Sequence, residues 1–207
     1  MTYAVLVLDR LGLPDSALCA AAEELARRHE HPAIVNHSIR TFLLAELAAP
    51  SLGLRDGTEY DRDELFVACV LHDVGTADAY DGPQRFEVEG ADAASRFLAS
   101  RGVAADARQR VWEAIALHTS PGIAERLGPV TRLTRAGVLS DFATPGLAPR
   151  RDIEALLPRL DVERHLADAV VRQALHNAAK APRATWPGAL LHAHLADPHH
   201  DGANPGF

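Results

Sequence analysis

Cysteine is nearly absent: the 207-residue chain has only Cys19 and Cys69, with no C-x-x-C spacing. That excludes a disulfide framework and a thiolate zinc site, and it suits a reducing compartment. Lysine is scarcer still, since Lys180 stands alone. No apolar run is long enough to cross a bilayer. The stretch Val5-Leu6-Val7-Leu8 has no positive segment before it and no small-residue cleavage site after it. A cytoplasmic location is expected. With 21 basic against 28 acidic side chains, the formal charge is −7, so the chain as a whole has no attraction to nucleic acid or an anionic membrane. Neither is expected as a partner. No internal repeat or low-complexity linker divides the chain.

What is present is ordinary globular material, 47% hydrophobic and 24% charged, enough to bury a core in one domain spanning 1–207. Alanine, leucine, arginine and glutamate dominate, and apolar residues recur at three- and four-residue spacing. An all-α fold follows. The spacing predicts helices at Ala17–Arg28 with Asp15 as N-cap, at Pro32–Ala49, and from Asp61 or Asp63 to a stop at Gly75. A polar loop over 75–88 follows, of the kind that carries binding groups. Further helices are expected at 89–100, 105–118, 131–141 and 161–180, with Pro145 as a break. From Pro182 the sequence reads as a loosely held tail containing Trp186, Pro198, His199, His200, Asp201 and Gly202, with a short helix over 190–195.

Three places carry chemistry: His37 in N-H-S-I-R, the pair His72-Asp73 in L-H-D-V-G, and Asp141 in L-S-D-F. His72 and Asp73 follow the apolar face of 66–71, where burying ionisable groups without a partner costs several kcal/mol. A cation removes that cost. Neighbouring residues diverge by about 100° in mid-helix, but near a helix end both can turn toward one atom.

The ordered pattern of a His, a His-Asp pair and a distant Asp resembles the HD-domain superfamily of metal-dependent hydrolases, over roughly 31–141. The resemblance implies an all-α HD bundle and a divalent ion held by His37, His72, Asp73 and Asp141. The strings F-E-V-E-G-A (86–91) and I-A-L-H-T-S-P-G-I-A (115–124) are similar to the cyanamide hydratase group within it. That likeness favours one zinc per chain, while the donors alone also suit iron, manganese or nickel. Dinuclear relatives place further histidines after the pair; residues 75–90 contain none. Two aspartates would neutralise the ion and acidify its water only weakly, which leaves work for a general base.

His118 and Glu89 are the expected acid–base residues, with Glu87 a third. His118 also reads as a second-metal ligand or a structural histidine, and Glu89 as a carboxylate stabilised at a helix N-terminus. Arg40, Phe86 and Thr119 are the expected substrate contacts. Arg40 and Arg85 suit an anionic substrate, although Arg40 equally suits a pair with Glu46 or another carboxylate. Some HD nucleotidases have a glutamate three residues beyond the pair; here Thr76 stands there, and Asp78 and Asp81 are the nearest substitutes. The remaining histidines, His29, His31, His165, His176, His192, His194, His199 and His200, receive no role.

The leading expectation is a hydrolase or hydratase in which metal-bound water adds to a small nitrile-like molecule. A phosphohydrolase acting on a nucleotide-like phosphoester is the alternative, followed by a dinuclear iron oxygenase and by a metal-binding module without turnover. A small-molecule substrate is the expected partner. Homo-oligomers are common among such relatives, but no interface face is marked in the sequence.

Overall fold

The structure, a computed structural model, describes residues 12–142 and 148–197. Among these, nine α-helices joined by short 3-10 turns carry the chain, and no strand forms. The first helix, α1 (Ala17–His29), is capped by Ser16, whose hydroxyl accepts the Cys19 N–H at 3.2 Å. Asp15, the expected cap, sits one residue too early. Helix α2 (Pro32–Ala48) opens with proline in its first turn, where the missing N–H costs nothing, and the His31 ring caps it by accepting from Ala33 N. Helix α3 (Arg62–Leu71) takes Asp61 as its cap, the carboxylate accepting from Glu64 N at 3.0 Å.

Gly75 does not end α3. That helix stops at Leu71, and Gly75 lies in a 3-10 turn, Val74–Thr76, pressed against α4 (Phe86–Ser100). A Cβ on Gly75 would stand 2.0 Å from the Phe86 carbonyl oxygen and 2.7 Å from Gly90 N. Glycine is there because two backbones touch. Helix α4 accordingly starts at Phe86, ahead of the expected residue 89.

Helices α5 (Ala105–Leu117) and α6 (Pro129–Phe142) complete the central bundle. Helix α6 packs along α2, and Gly137 makes the approach close: a Cβ there would lie 2.2 Å from the Thr41 carbonyl oxygen. This contact sets Asp141 beside His37.

Three differences concern the C-terminal part. Helix α7 (Ala148–Leu156) was not expected, and α8 (Val162–His176) ends before the predicted 180 because Asn177 is extended, leaving Lys180 in a separate turn. Helix α9 (Trp186–Ala196) includes the expected short helix over 190–195 but begins at Trp186, where a loose tail was expected: Trp186 and Leu190 are buried against α8. The Val5–Leu8 run, the Pro145 break and residues 198–207 lie outside the described residues.

Two apolar clusters result. The larger joins α1 to α6 through residues such as Ile39, Phe42, Phe66, Val70, Ile115 and Leu133. The smaller joins the start of α2 and Phe86 to α8 and α9 through Ile34, Leu166, Val170, Trp186 and Leu190. The buried polar residues described below lie between them. Among the described residues no helix is long and apolar enough to cross a membrane.

Replacing Gly137 by alanine forces two backbones apart, and overpacking of this kind costs on the order of 1–3 kcal/mol. The urea unfolding midpoint is expected to fall accordingly; an unchanged midpoint would show that α2 and α6 are not in backbone contact.

Candidate metal centre

His72 and His118 occupy equivalent places, each the C-cap of its helix, α3 and α5. Each ring turns back to donate from Nδ1 to the carbonyl three residues earlier, His72 to Cys69 at 2.6 Å and His118 to Ile115 at 2.7 Å. His37 sits in mid-helix, where backbone carbonyls are already used, and its Nδ1 meets the Asp141 carboxylate instead, at 2.7 Å. An acceptor at Nδ1 places the proton on that nitrogen, so each neutral ring has a bare Nε2.

All three Nε2 atoms face Asp73. His72 Nε2 and His37 Nε2 lie 3.0 and 3.6 Å from Asp73 Oδ2, and His118 Nε2 lies 3.5 Å from Oδ1. The His37 and His72 Nε2 atoms are 3.1 Å apart. Every one of these residues is almost fully buried, and Asp73 Oδ2 lacks a hydrogen bond despite its neighbours. Lone pairs and a carboxylate converging away from water repel one another unless something positive lies between them.

A divalent ion fits that description. Donors sharing one ion at tetrahedral bonds of about 2.1 Å stand about 3.4 Å apart, close to the 3.0, 3.1 and 3.6 Å measured among His37, His72 and Asp73. These three residues form the only such group among the described residues.

The charges follow the same geometry. Burial pushes Asp73 up, but His72 and His118 beside it hold its carboxyl well below the usual range. Burial lowers His37, and this outweighs the opposing pull of Asp141. Burial also opposes protonation of His72, but the adjacent Asp73 carboxylate lifts it above the ordinary 6.5. Asp141 would rise on burial, yet hydrogen bonds from Arg40 and His37 hold it well below the carboxylate range.

The remaining expected site residues are distributed around this cluster. Arg40 does not reach a substrate space. It is fully buried, gripping Asp141 through Nε–Oδ1 and Nη2–Oδ2 bonds of 2.7 Å and donating Nη1 to the Leu157 carbonyl at 3.0 Å. Glu89 faces the preceding loop, where it accepts from Gln84 N at 2.7 Å, so it acts as the local N-terminal carboxylate. Glu87 is buried and receives both the Thr119 hydroxyl at 2.7 Å and the Arg85 guanidinium. The Phe86 ring packs edge-on against both His118 and Trp186. Asp78 and Asp81 are engaged by Arg172 and Lys180, which tie the loop over 75–85 to α8 and the turn after it. Cys69 is a core thiol, pushed up to about 12 by burial.

The sequence reading missed the walls. Val138, Phe142, Leu166 and Trp186 line the same small cavity as His37, His72, Asp73 and His118. Trp186 had a readable signal: Thr185 followed by Trp-Pro is a helix start, and the Thr185 hydroxyl accepts from Gly188 N. Arg159, which donates to the Asp141 carbonyl at 2.8 Å, had none.

Residues 34–174, well over half of the chain, match the HD domain, and the chain belongs to that family. Its members are typically metal-dependent hydrolases, and the His37, His72 and Asp73 group fits a divalent ion. No curated protein matches the chain.

Binding of an ion needs His72 Nε2 bare, while Asp73 favours a proton on that same atom. Protons and metal therefore compete. Affinity for zinc or manganese is expected to fall as pH drops, beginning above the ordinary histidine value of about 6.5, with proton release on binding. Calorimetry in buffers of different ionisation enthalpy checks this; affinity that does not change between about pH 8 and pH 6 would contradict it.

Proposed function

We propose that the protein is a metal-dependent hydratase that adds water to a small, uncharged nitrile-type molecule, as in the cyanamide hydratase group. The observation that carries this reading is the lining of the site. Val138, Phe142, Leu166 and Trp186 are its walls, and among the described residues no lysine or arginine joins them. A phosphoester placed beside Asp73 would not find Arg40 as its countercharge, because Arg40 is committed to Asp141. A small linear substrate needs none.

When bound by His37, His72 and Asp73, a divalent ion would polarise the substrate and acidify a water. The chain's own contribution centres on His118. Its Nδ1 proton is fixed on the Ile115 carbonyl, its own carbonyl accepts from Arg135 at 2.9 Å, and Phe86 packs against its ring. Nε2 is thus left as the atom that takes a proton from the water and returns it to the substrate nitrogen. One water adds across the carbon–nitrogen triple bond, giving an amide or urea-type product without a leaving group.

A second reading has its own support. A cavity of about 440 Å³ lined by Arg85, Thr119, Ser120 and Arg183 shares Trp186 with the metal site. Arg183 there, together with the partly exposed Arg85 that also holds Glu87, suits the anionic part of a phosphoester.

Metal-loaded protein is expected to turn cyanamide into urea and to leave a mononucleotide panel intact. Phosphate release that depends on Arg85 and Arg183 would replace the first reading with the second. His118→Ala is expected to lower hydration by roughly 10²–10⁴-fold with metal content unchanged. Metal lost together with activity would make His118 a ligand, and unaltered activity would remove its proton-transfer role.

A further inference from the structure

Asp141 differs from the other acidic residue of the site in where its oxygens go. Oδ2 accepts from His37 Nδ1 and Arg40 Nη2, and Oδ1 from Arg40 Nε, all at 2.7 Å. Arg159 adds a bond to its main-chain carbonyl and approaches Oδ1 at 3.5 Å. His37 presents Nδ1 to Asp141 and Nε2, across the ring, to His72 and Asp73. An ion about 2 Å from Nε2 and a carboxylate at Nδ1 occupy opposite ends of one imidazole. One carboxylate cannot fill both positions.

The helix positions give a reason for this arrangement. His72 and His118 each end a helix and find a backbone carbonyl for Nδ1. His37, inside α2, has no free carbonyl and needs an acceptor from another helix, which α6 supplies. A carboxylate at Nδ1 fixes the tautomer and makes Nε2 a stronger donor. Arg40, one turn along α2 from His37, then holds that carboxylate by both oxygens.

We propose that Asp141 is a positioning residue for His37 and not a ligand of the ion, that Arg40 positions Asp141 and does not contact substrate, and that His37, His72 and Asp73 alone supply the protein donors. The proposal rests on the metal-dependent reading of the site and departs from the four-ligand set implied by sequence resemblance.

Cobalt(II) titration followed by visible absorption tests it. Asp141→Asn is expected to bind one cobalt per chain about 10–100-fold more weakly, with the wild-type band positions at saturation. Asp73→Asn is expected to lose stoichiometric binding. Arg40→Gln should weaken binding as Asp141→Asn does, and the double variant, which removes both buried charges at once, should be no worse than either. Shifted bands in saturated Asp141→Asn, or additive losses in the double variant, would overturn the proposal.

Because a single variant leaves a buried charge unpaired and risks unfolding, a measurement on wild type stands beside these. In zinc-loaded protein with ¹⁵N-labelled histidine, His37 is expected to show an exchange-protected Nδ1 proton and a metal-bound Nε2. An unprotonated Nδ1 on His37 refutes the positioning role even though metal is bound. Failure of wild type to bind any divalent ion removes the positioning claim together with the functional reading.

Discussion

Three imidazole nitrogens with bare lone pairs and one carboxylate meet in a buried place, and the arrangement of the helices serves that meeting. Each ring reaches its position by a different local device. Helices α3 and α5 stop where they do so that His72 and His118 can fold back on their last turns and point Nε2 forward. Helix α2 passes through without stopping, so His37 depends on α6 for its partner, and α6 comes near enough because position 137 has no side chain. Repulsion among like-ended groups is what makes the site fit a cation, in the same way that a buried carboxylate without a partner raises its own affinity for a proton.

The second layer is apolar and comes from the other end of the chain. Helices α8 and α9 bring Leu166 and Trp186 over the donors, and Phe86 at the start of α4 links Trp186 to His118. The loop after the His-Asp pair is tied down by polar contacts with the same part of the chain: Gln173 donates to the Gly75 carbonyl at 2.9 Å, and Lys180 holds Asp81 and the Gly82 carbonyl. The chain's one lysine thus serves to anchor the loop.

Much of this was legible before any coordinates. The all-α class, most helix centres and the association of His37, His72, Asp73 and Asp141 follow from periodicity and from a motif whose order is diagnostic. What the sequence could not supply is which side of a ring a carboxylate occupies. Asp141 and Arg40 have the right residue types for a ligand and a phosphate contact, and only packing shows them gripping each other. Glu89 illustrates the same limit, because a carboxylate in the first turn of a helix has a local use that motif logic does not see. Helix α7 escaped notice because its apolar positions are sparse. Trp186 differs from expectation for another reason: its neighbouring Pro and Gly read as loop formers, although Thr-Trp-Pro starts a helix.

The pairing of Arg40 with Asp141 also changes the charge of the site. Two aspartate ligands would cancel a divalent ion, leaving little pull on a bound water. With Asp141 neutralised by a guanidinium that is itself fully buried, Asp73 is the one carboxylate of the His37, His72 and Asp73 group left to face the ion. An ion held there keeps net positive charge in a low-dielectric setting, and its effect on the pKa of neighbouring groups is correspondingly larger. On the proposed hydratase reading the demand on a general base would fall by the same measure, and His118 would serve less to strip a proton from water than to carry it to the substrate. A histidine with Nδ1 fixed and Nε2 facing the donors is suited to that transfer, and a glutamate lying against its own helix terminus, as Glu89 does, is not.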